Sequence, residues 1–565
     1  MTDPFVARTW PRPAPATNPG LHDNHLYVLV EARFRRVVAD DPVSATFYGL
    51  HDLDDRLADG SRDAVLGRLA DERAHLATIE AIDPEGLSPE AAFERDLELH
   101  NVRRTIFELD VVRLWERRSV ALDTIGEGLF LLFARDFTPL AERLSALAGR
   151  LDAIPTYLDQ SRTRAVVPQV RLWQELEIEA AGHLPGFIAE IVAAGREELA
   201  ATDLRRLERA AGRARDAIGD HAAWLRGTLA SGTDDWALGR ERFATLIGLR
   251  ALEDLDADAI LAIGEAQLSE QIAARRAAAL DVDPMADEAT VIDRIKSDHE
   301  ATFDEALDSY RHSMDRARAH LIARDLASVP DDERIHVLAT PRYLRTLVPF
   351  AAYFQPARFE AKPMGLYIVT PSVGDGPGAM REHNRSSISN TSIHEAYPGH
   401  HLQLSVGSRH PSLTRLQADA PEFVEGWGMY CEQMMREEGF DDGPMFRVAL
   451  ATDAIWRACR IILDVRMSRG EMGVAEATEF LIRHTSFERA NARAEVLRYT
   501  YTPTYQLSYL LGKVLLLQFR EDERRRLGER FSLRDFHDGL LRNGSIPISF
   551  HRRLAAASTP ASLEA

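Results

Sequence analysis

Cysteine is nearly absent from this chain, with Cys431 and Cys459 the only two in 565 residues. Two cysteines are too few for a disulfide framework, so the class of small disulfide-stabilised domains is excluded. Both lie in apolar patterns of helical spacing, where a free cysteine behaves as a small hydrophobic residue. A reduced, cytoplasmic setting is the simplest expectation.

Long hydrophobic runs are absent as well. No stretch reaches the roughly 18 apolar residues that a membrane-spanning helix requires. The first twenty residues contain Asp3 and several prolines but no apolar segment of signal-peptide length. These two absences predict a cytoplasmic protein without a membrane partner.

Lysine is the third scarce residue, and it occurs only at Lys296, Lys362 and Lys513. Arginine therefore carries nearly all of the positive charge, while the formal net charge is -20. Nucleic acids bind basic faces, and anionic membranes attract basic segments. The charge argues against both partners and indicates solubility, and the sequence does not reveal the oligomeric state.

The composition, 45% hydrophobic and 28% charged, is that of an ordinary soluble protein too long for a single core. We predict a mainly α fold, with helix-dominated lobes around a deep cleft and one small β-sheet beside the catalytic residues. The predicted strand is Gly365 to Thr370, and the glycine-rich segment 374–378 that follows it is interpreted as a mobile loop over the cleft. The expected organisation is an extended, proline-rich N-terminal arm (1–22), an N-terminal helical region (23–340) and a metal-binding catalytic region (341–565).

The chemistry is concentrated in residues 390–403, Asn-Thr-Ser-Ile-His-Glu-Ala-Tyr-Pro-Gly-His-His-Leu-Gln. His394 and Glu395 are adjacent, and His400 and His401 follow closely. A zinc hydrolase needs two neutral imidazoles on the metal and a carboxylate that takes the proton of a water molecule. This stretch contains all three groups.

The spacing differs from that of the HExxH helix, because Pro398 occupies the position of the second histidine. In an unbroken helix His401 would share a face with His394 but lie about 10 Å away, too far for one ion. Proline disfavours helix before it and Gly399 permits unusual backbone angles, so a bulge at this step is expected. A two-residue bulge makes His400 the second ligand, which we favour, and a three-residue bulge makes it His401. The alternative is a kinked helix end with ordinary polar histidines.

A third ligand is expected from Ala-Pro-Glu-Phe-Val-Glu-Gly-Trp-Gly-Met-Tyr, where Pro421 suits the first turn of a helix. Glu425 lies among apolar residues and two glycines, and a carboxylate there must pair or bind metal to tolerate burial. Glu422 and Glu432 are expected to be solvated. Glu432, two turns from Glu425, is also a candidate to orient a ligating histidine.

The run from His394 to Gln403, followed by Glu-Gly-Trp-Gly-Met-Tyr, resembles the signature of the bacterial family DUF885, from about residue 25 to the end. The resemblance implies a zinc metallohydrolase. The Gly399-His400 step with Leu402 is also similar to the HExGH motif of thermostable carboxypeptidases and thimet oligopeptidase relatives. Both comparisons imply a gluzincin site with two histidines and a downstream glutamate, and the expectation of a peptidase comes from the resemblance.

An oxyanion formed during amide hydrolysis needs a hydrogen-bond donor. Residues 498–509 hold five tyrosine and arginine donors, and the stretch resembles the C-terminal motif of the family. Tyr509 and Arg498 are the predicted catalytic donors. The family motif has Pro-Gly-Gln where this chain has Pro503-Thr504-Tyr505-Gln506, which leaves the role of Gln506 open.

The hypothesis from the sequence is a zinc-dependent hydrolase, with His394, His400 and Glu425 as Zn²⁺ ligands and Glu395 as the base. Its expected substrates are short peptides or small amides. One alternative is a scaffold protein with a structural metal, although a structural site has no use for an unligated Glu395. Another is a metal-dependent amidase or lyase, because two histidines and a carboxylate also suit other metals.

Overall fold

The chain folds mainly into helices, as predicted. The computed structural model describes residues 4–340, 345, 348, 351–371, 380–485 and 487–557. Its first helices are α1 (Asp23–Asp40), α2 (Pro42–Tyr48), α3 (Arg62–Glu80), α4 (Pro89–Phe107), α5 (Leu114–Arg117), α6 (Ala121–Ala134), α7 (Leu140–Arg162), α8 (Arg171–Glu198), α9 (Ala201–Thr228), α10 (Arg240–Gly248), α11 (Ala257–Val282), α12 (Glu288–Ser297) and α13 (Phe303–Ala323).

The helices after residue 380 carry the residues of the candidate site. They are α14 (Arg385–Glu395), α15 (His400–Gly407), α16 (Leu413–Leu416), α17 (Pro421–Glu437), α18 (Pro444–Ser468), α19 (Val474–Thr485), α20 (Arg489–Tyr499), α21 (Ser508–Leu527), α22 (Leu533–Arg542) and α23 (Ile548–Ala557). Among the helices described, none combines the length and the apolar character that a membrane span requires.

One small sheet accompanies the helices, with strands β1 (Ile335–Ala339), β2 (Ala351–Phe354) and β3 (Gly365–Val369). β3 is central and pairs in parallel with β1 and antiparallel with β2. The strand predicted from Gly365 is confirmed as β3, and with it the mainly α class with one small sheet. β1 and β2 were not predicted.

β3 lies between two hydrophobic cores, and all five of its residues are buried. Tyr367 and Val369 belong to the largest core, whereas Ile368 belongs to a second core built mainly from α6 to α9. Successive side chains of a strand point to opposite faces, so one strand serves both cores. Burial on both faces also explains why this strand is a continuous apolar run in the sequence.

The largest core joins both halves of the chain. In it, α11 packs against α18 and α17 packs against α21. Leu307 and Tyr310 of α13 share it with Trp427 and Tyr430 of α17. The division predicted at residue 340 separates β1 from its partners in the sheet, and as a domain boundary it stays a prediction.

The described part of the N-terminal arm, residues 4–22, contains neither helix nor strand. Phe5 and Trp10 are nevertheless buried, with 1% and 4% of their surface exposed, in a third core with Phe34 of α1. The arm therefore adds two aromatic side chains to a core that the following helices form.

Local sequence signals begin the helices that bear the candidate site. The side chain of Asn384 accepts a hydrogen bond from the backbone N–H of Ser387 at 3.0 Å and caps α14. Pro421 opens α17, where its missing N–H costs nothing. Thr302 and Glu305 form a capping box at the start of α13, which packs against α14.

α17 and α21 approach each other backbone to backbone at two glycines. A Cβ atom on Gly512 would lie 1.9 Å from the carbonyl oxygen of Glu422, and a Cβ on Gly426 would lie 2.6 Å from the Cα of Gly512. Real Cβ atoms do not approach backbone atoms so closely. The two glycines therefore fix the distance between the helix that carries Glu425 and the helix that follows Tyr505.

We predict that Gly512→Ala destabilises the fold by at least about 1–3 kcal/mol, because neither backbone can move without separating the helices. Gly212→Ala is the matched control, since its Cβ would meet nothing within 4 Å in the middle of α9. That change is expected to be neutral or stabilising by up to about 1 kcal/mol. Chemical denaturation of both variants is the measurement, and equal stabilities would contradict the close approach.

Candidate metal centre

The helix that begins at Arg385 is interrupted between Glu395 and His400 and then continues as α15. The backbone N–H of Gly399 donates to the carbonyl of Ile393, and that of Leu402 donates to the carbonyl of Ala396. Each bond reaches back six residues, whereas a regular α-helix reaches back four. The interruption therefore inserts two residues, as the favoured alternative from the sequence requires.

Gly399 is needed at this break for steric reasons. A Cβ atom there would lie 1.8 Å from the carbonyl oxygen of His394 and 2.3 Å from that of Ile393. Any other residue would push the two helical segments apart. Tyr397-Pro398, a cis peptide bond, completes the turn.

The insertion brings His394, His400 and Glu425 together. Nε2 of His394 lies 3.5 Å and Nε2 of His400 lies 3.3 Å from the same carboxylate oxygen, Oε2 of Glu425. The two imidazole rings are nearly perpendicular, with centroids 4.7 Å apart. One possible ligand atom from each residue lies within 4.8 Å of the other two, and all three residues are buried.

The glycine after Trp427 makes room for the first histidine. A Cβ on Gly428 would lie 2.6 to 2.9 Å from three atoms of the His394 ring. The ring therefore lies directly on the backbone of α17, one turn from Glu425. In Glu-Gly-Trp-Gly, Glu425 is the candidate ligand. Gly426 allows α21 to approach α17, and Gly428 allows the ring of His394 to do so.

Glu432 orients His394. Its Oε1 accepts a hydrogen bond from Nδ1 of His394 at 2.7 Å, and its Oε2 accepts one from Nδ2 of Asn390 at 3.0 Å. A proton held on Nδ1 makes Nε2, which faces Glu425, the ring nitrogen that can bind a metal. The orienting role considered for Glu432 is thus present. Among the described residues, Nδ1 of His400 has no such partner.

The expectation that Glu422 and Glu432 are solvated is wrong, because only 1% and 2% of their surfaces are exposed. Glu432 tolerates burial through its hydrogen bonds. Oε2 of Glu422 lies 3.9 Å from Nη2 of Arg250, and burial raises the pKa of Glu422 to about 7. Residues far away in the sequence, from α14 for Glu432 and Arg250 for Glu422, therefore surround these side chains.

The electrostatics of the centre favour a positive charge. Burial opposes a charge on His394, but its bonds to Glu425 and Glu432 outweigh burial and raise its pKa to about 10. Burial likewise disfavours the charged form of Glu425, yet the two histidines hold its pKa well below the usual range. A site that stabilises an extra proton between these groups also suits a cation.

Both ring nitrogens of His401 form hydrogen bonds with residues outside the candidate centre. Its Nε2 donates to Glu333 at 2.6 Å, and its Nδ1 accepts from the hydroxyl of Tyr353 at 2.9 Å. Glu333 also accepts from Tyr397 and Arg318, and despite burial these bonds lower its pKa to about 2. With both ring nitrogens bonded, His401 has none left for a metal.

Glu395, the predicted base, is the last residue of α14 and is half-buried beside His394. Its carboxylate has no hydrogen-bond partner in the part of the chain that the structure describes. Burial raises the pKa of Tyr353 and of Tyr367 far above 10, and the nearby charge of Glu395 adds to both shifts. Glu395 is therefore close to β2 and β3, which carry these two tyrosines.

Two tyrosines lie on the opposite side of the centre. Tyr505 donates to Oε1 of Glu425 at 2.7 Å, which leaves Oε2 of this carboxylate for the histidines. Tyr509, the predicted donor, has its ring stacked along that of His394 with centroids 6.4 Å apart. Burial, with the charge of Glu425, raises the pKa of Tyr509 to about 12, so it stays a hydroxyl donor at neutral pH.

The sequence did not single out Tyr505 because it lies in the turn before α21 rather than on a helix. Asp464 holds that turn by accepting from the backbone N–H groups of Thr504 and Leu507 at 3.0 and 3.1 Å. Thr504 has φ +71°, a conformation that β-branched residues rarely adopt. No pattern of residue spacing in the sequence predicts this turn or the burial of Asp464.

Two further predictions have different outcomes. Arg498 hydrogen-bonds Glu495 at 3.1 Å and none of the three candidate ligands, so its catalytic role stays a prediction. The glycine-rich loop predicted at 374–378 lies outside the described residues.

The family described as bacterial protein of unknown function (DUF885) matches residues 42–554. The chain belongs to this family. The family match covers the whole candidate centre of this DUF885 chain. No protein with a curated description matches the sequence.

Two solved structures share the fold of this DUF885 chain. One is a putative lipoprotein of unknown function from Shewanella oneidensis, with a TM-score of 0.76, 20% identity and coverage of 94% of this chain and 99% of the other. The second is a putative lipoprotein from Colwellia psychrerythraea, with a TM-score of 0.80, 18% identity and coverage of 95% and 99%. At these identities the likeness shows the fold alone, and the cytoplasmic location stays a prediction.

The donor set fits a zinc ion. Two imidazole nitrogens and one carboxylate oxygen, all buried and close together, are ligands that zinc takes in catalytic sites. His394 also has the hydrogen-bonded carboxylate that usually orients a ligating histidine.

We predict that His400→Ala empties the site, whereas His401→Ala keeps about one metal ion per chain. His401→Ala is also expected to lower the melting temperature, because it leaves Glu333 and Tyr353 with unpaired groups. Elemental analysis after dialysis measures the metal. The reverse pattern would mean that the second ligand is His401.

A second prediction concerns Gly428. Gly428→Ala is expected to lower zinc affinity by about 10- to 100-fold, as for other changes that displace a ligating histidine. Gly212→Ala serves again as the control. Competition with a chelating dye measures both, and unchanged affinity in Gly428→Ala would show that His394 is not a ligand in the position described.

Proposed function

We propose that the chain is a zinc-dependent hydrolase, a metallopeptidase that cleaves short peptides or other small amides. The observation that carries the proposal is the two-residue insertion, which directs Nε2 of His394 and of His400 to one oxygen of Glu425 and leaves Glu395 beside them. His394, His400 and Glu425 would hold the ion. When bound, zinc supplies a Lewis acid that polarises a carbonyl and acidifies a water molecule.

The residues of the chain would perform the remaining steps. Glu395, which has no hydrogen-bond partner among the described residues, takes the proton from the attacking water and gives it to the leaving amine. Tyr509 donates a hydrogen bond to the oxyanion, since its hydroxyl stays protonated at neutral pH, while Tyr505 holds Glu425. Glu432 keeps the ring of His394 in place throughout.

A scaffold with a structural metal is less well supported. Structural zinc sites are closed by four protein ligands, frequently cysteines. Cys431 and Cys459 are both buried and distinct from this centre. An unpaired carboxylate next to a ligand has a use only where a proton is transferred.

The decisive experiment combines metal analysis of the purified protein with a digest of a peptide library, read by mass spectrometry. Zinc near one per chain together with cleavage of short peptides would support the proposal. If the zinc-loaded protein cleaves no peptide of up to about ten residues, the peptidase assignment fails.

The assigned base gives a sharper prediction. Glu395→Gln is expected to keep zinc and the fold but lose about 10²- to 10⁴-fold in turnover, because an amide cannot accept the proton. Glu382→Gln is the control, an exposed glutamate whose contact is with Lys296. Turnover like that of the unchanged protein in Glu395→Gln would refute the mechanism.

A further inference from the structure

Three arginines, Arg457, Arg460 and Arg498, lie near Tyr509, next to the candidate centre. Tyr509, whose ring stacks along His394, has the guanidinium carbons of Arg460 and Arg457 at 4.7 and 6.0 Å from its centroid. Both arginines project from α18. The charge of Arg498 also acts on Tyr509.

Two of these arginines share one carboxylate, and the third has a longer ion contact with another. Arg460 and Arg498 both donate to Oε2 of Glu495, at 3.0 and 3.1 Å. Arg457 has an ion contact of 3.5 Å with Asp453, and its guanidinium carbon lies 3.9 Å from the ring centroid of Trp456. Its Nε and Nη1 are buried and have no hydrogen-bond partner among the described residues, while 15% of the side chain remains exposed.

Asp453 faces Arg457 with its Oδ1, while its Oδ2 accepts a bond from Asn390 at 2.7 Å. The cluster therefore holds three guanidinium groups against the carboxylates of Glu495 and Asp453, in a chain whose net charge is -20. A buried guanidinium without an acceptor is unfavourable, and its planar donors match the two oxygens of a carboxylate. These facts indicate that a ligand supplies the missing acceptor.

We propose that Arg457 binds a carboxylate of the substrate close to the scissile amide. This inference rests on the proposed hydrolase function and specifies its substrate class. The carboxylate is either the C-terminal group of a short peptide or an aspartate or glutamate side chain beside the cleaved bond. Arg457 is then a specificity-determining residue, while Glu395 and the three candidate ligands perform the chemistry.

Three matched peptides, chosen from the sequences that the digest identifies, separate the two sources. The first has a free C-terminus and neutral side chains, the second is the same peptide amidated, and the third is amidated and contains one glutamate. Binding is measured calorimetrically with zinc-loaded Glu395→Gln, and kcat/KM is measured with the unchanged protein. A carboxylate-bearing peptide is expected to exceed the second by about 10- to 100-fold, as for a charge-assisted pair. Preference for the first identifies the C-terminus, and preference for the third identifies a side chain.

The same comparison in Arg457→Gln and Arg457→Lys tests the residue. The preference is expected to vanish in Arg457→Gln, to survive in part in Arg457→Lys, and to persist in the control Arg466→Gln. Arg466 lies on the same helix but pairs with Glu265 of α11. The loss should appear for carboxylate-bearing peptides only, which a general loss of folding would not produce.

Two results would overturn the inference alone: equal binding and cleavage of all three peptides, or a preference that Arg457→Gln retains. In both cases the hydrolase function would stand. If the zinc-loaded protein neither binds nor cleaves any of the peptides, the inference and the proposed function fail together.

Discussion

The candidate centre depends on two hydrogen bonds that reach back six residues, from Gly399 to Ile393 and from Leu402 to Ala396. They let the helix resume after the insertion with His400 on the face that His394 occupies. Without the insertion the two histidines would lie on different faces, and Glu425 would have one imidazole to contact instead of two. His401 is the residue that the insertion turns the other way, toward Glu333 and the sheet.

The candidate centre also depends on close backbone packing. Glycines at 426, 428 and 512 let α17 contact the ring of His394 on one side and α21 on the other. Glu425 lies between these contacts, so its oxygens meet histidines from one direction and Tyr505 from the other. Larger residues at these positions would hold the same helices about a methyl group farther apart, which is enough to separate ligands that bond a metal at about 2 Å.

The sequence predicted what depends on neighbours along the chain. His394, His400 and Glu425 stand in short motifs whose spacing carries the geometry, and β3 is a continuous apolar run. The burial of Glu432, the partners of His401 and the position of Tyr505 depend on segments far apart in the chain, such as Asp464 with Thr504. β1 and β2 were missed because most residues of β1 are exposed and those of β2 are half-buried, so neither is buried along its whole length as β3 is. Arg498 is a different case, because Glu495, three residues before it in the sequence, could have been recognised there as its ion-pair partner.

The sheet and the largest core have a consequence for work with fragments of the protein. A fragment that begins after residue 340 would contain His394, His400 and Glu425 but would lose β1, the parallel neighbour of β3. It would also lose Glu333, the carboxylate that fixes His401, and α11, against which α18 packs. The motifs that carry the candidate ligands therefore cannot be transferred by their sequence limits, because grafting or truncation would remove the contacts that give them their geometry.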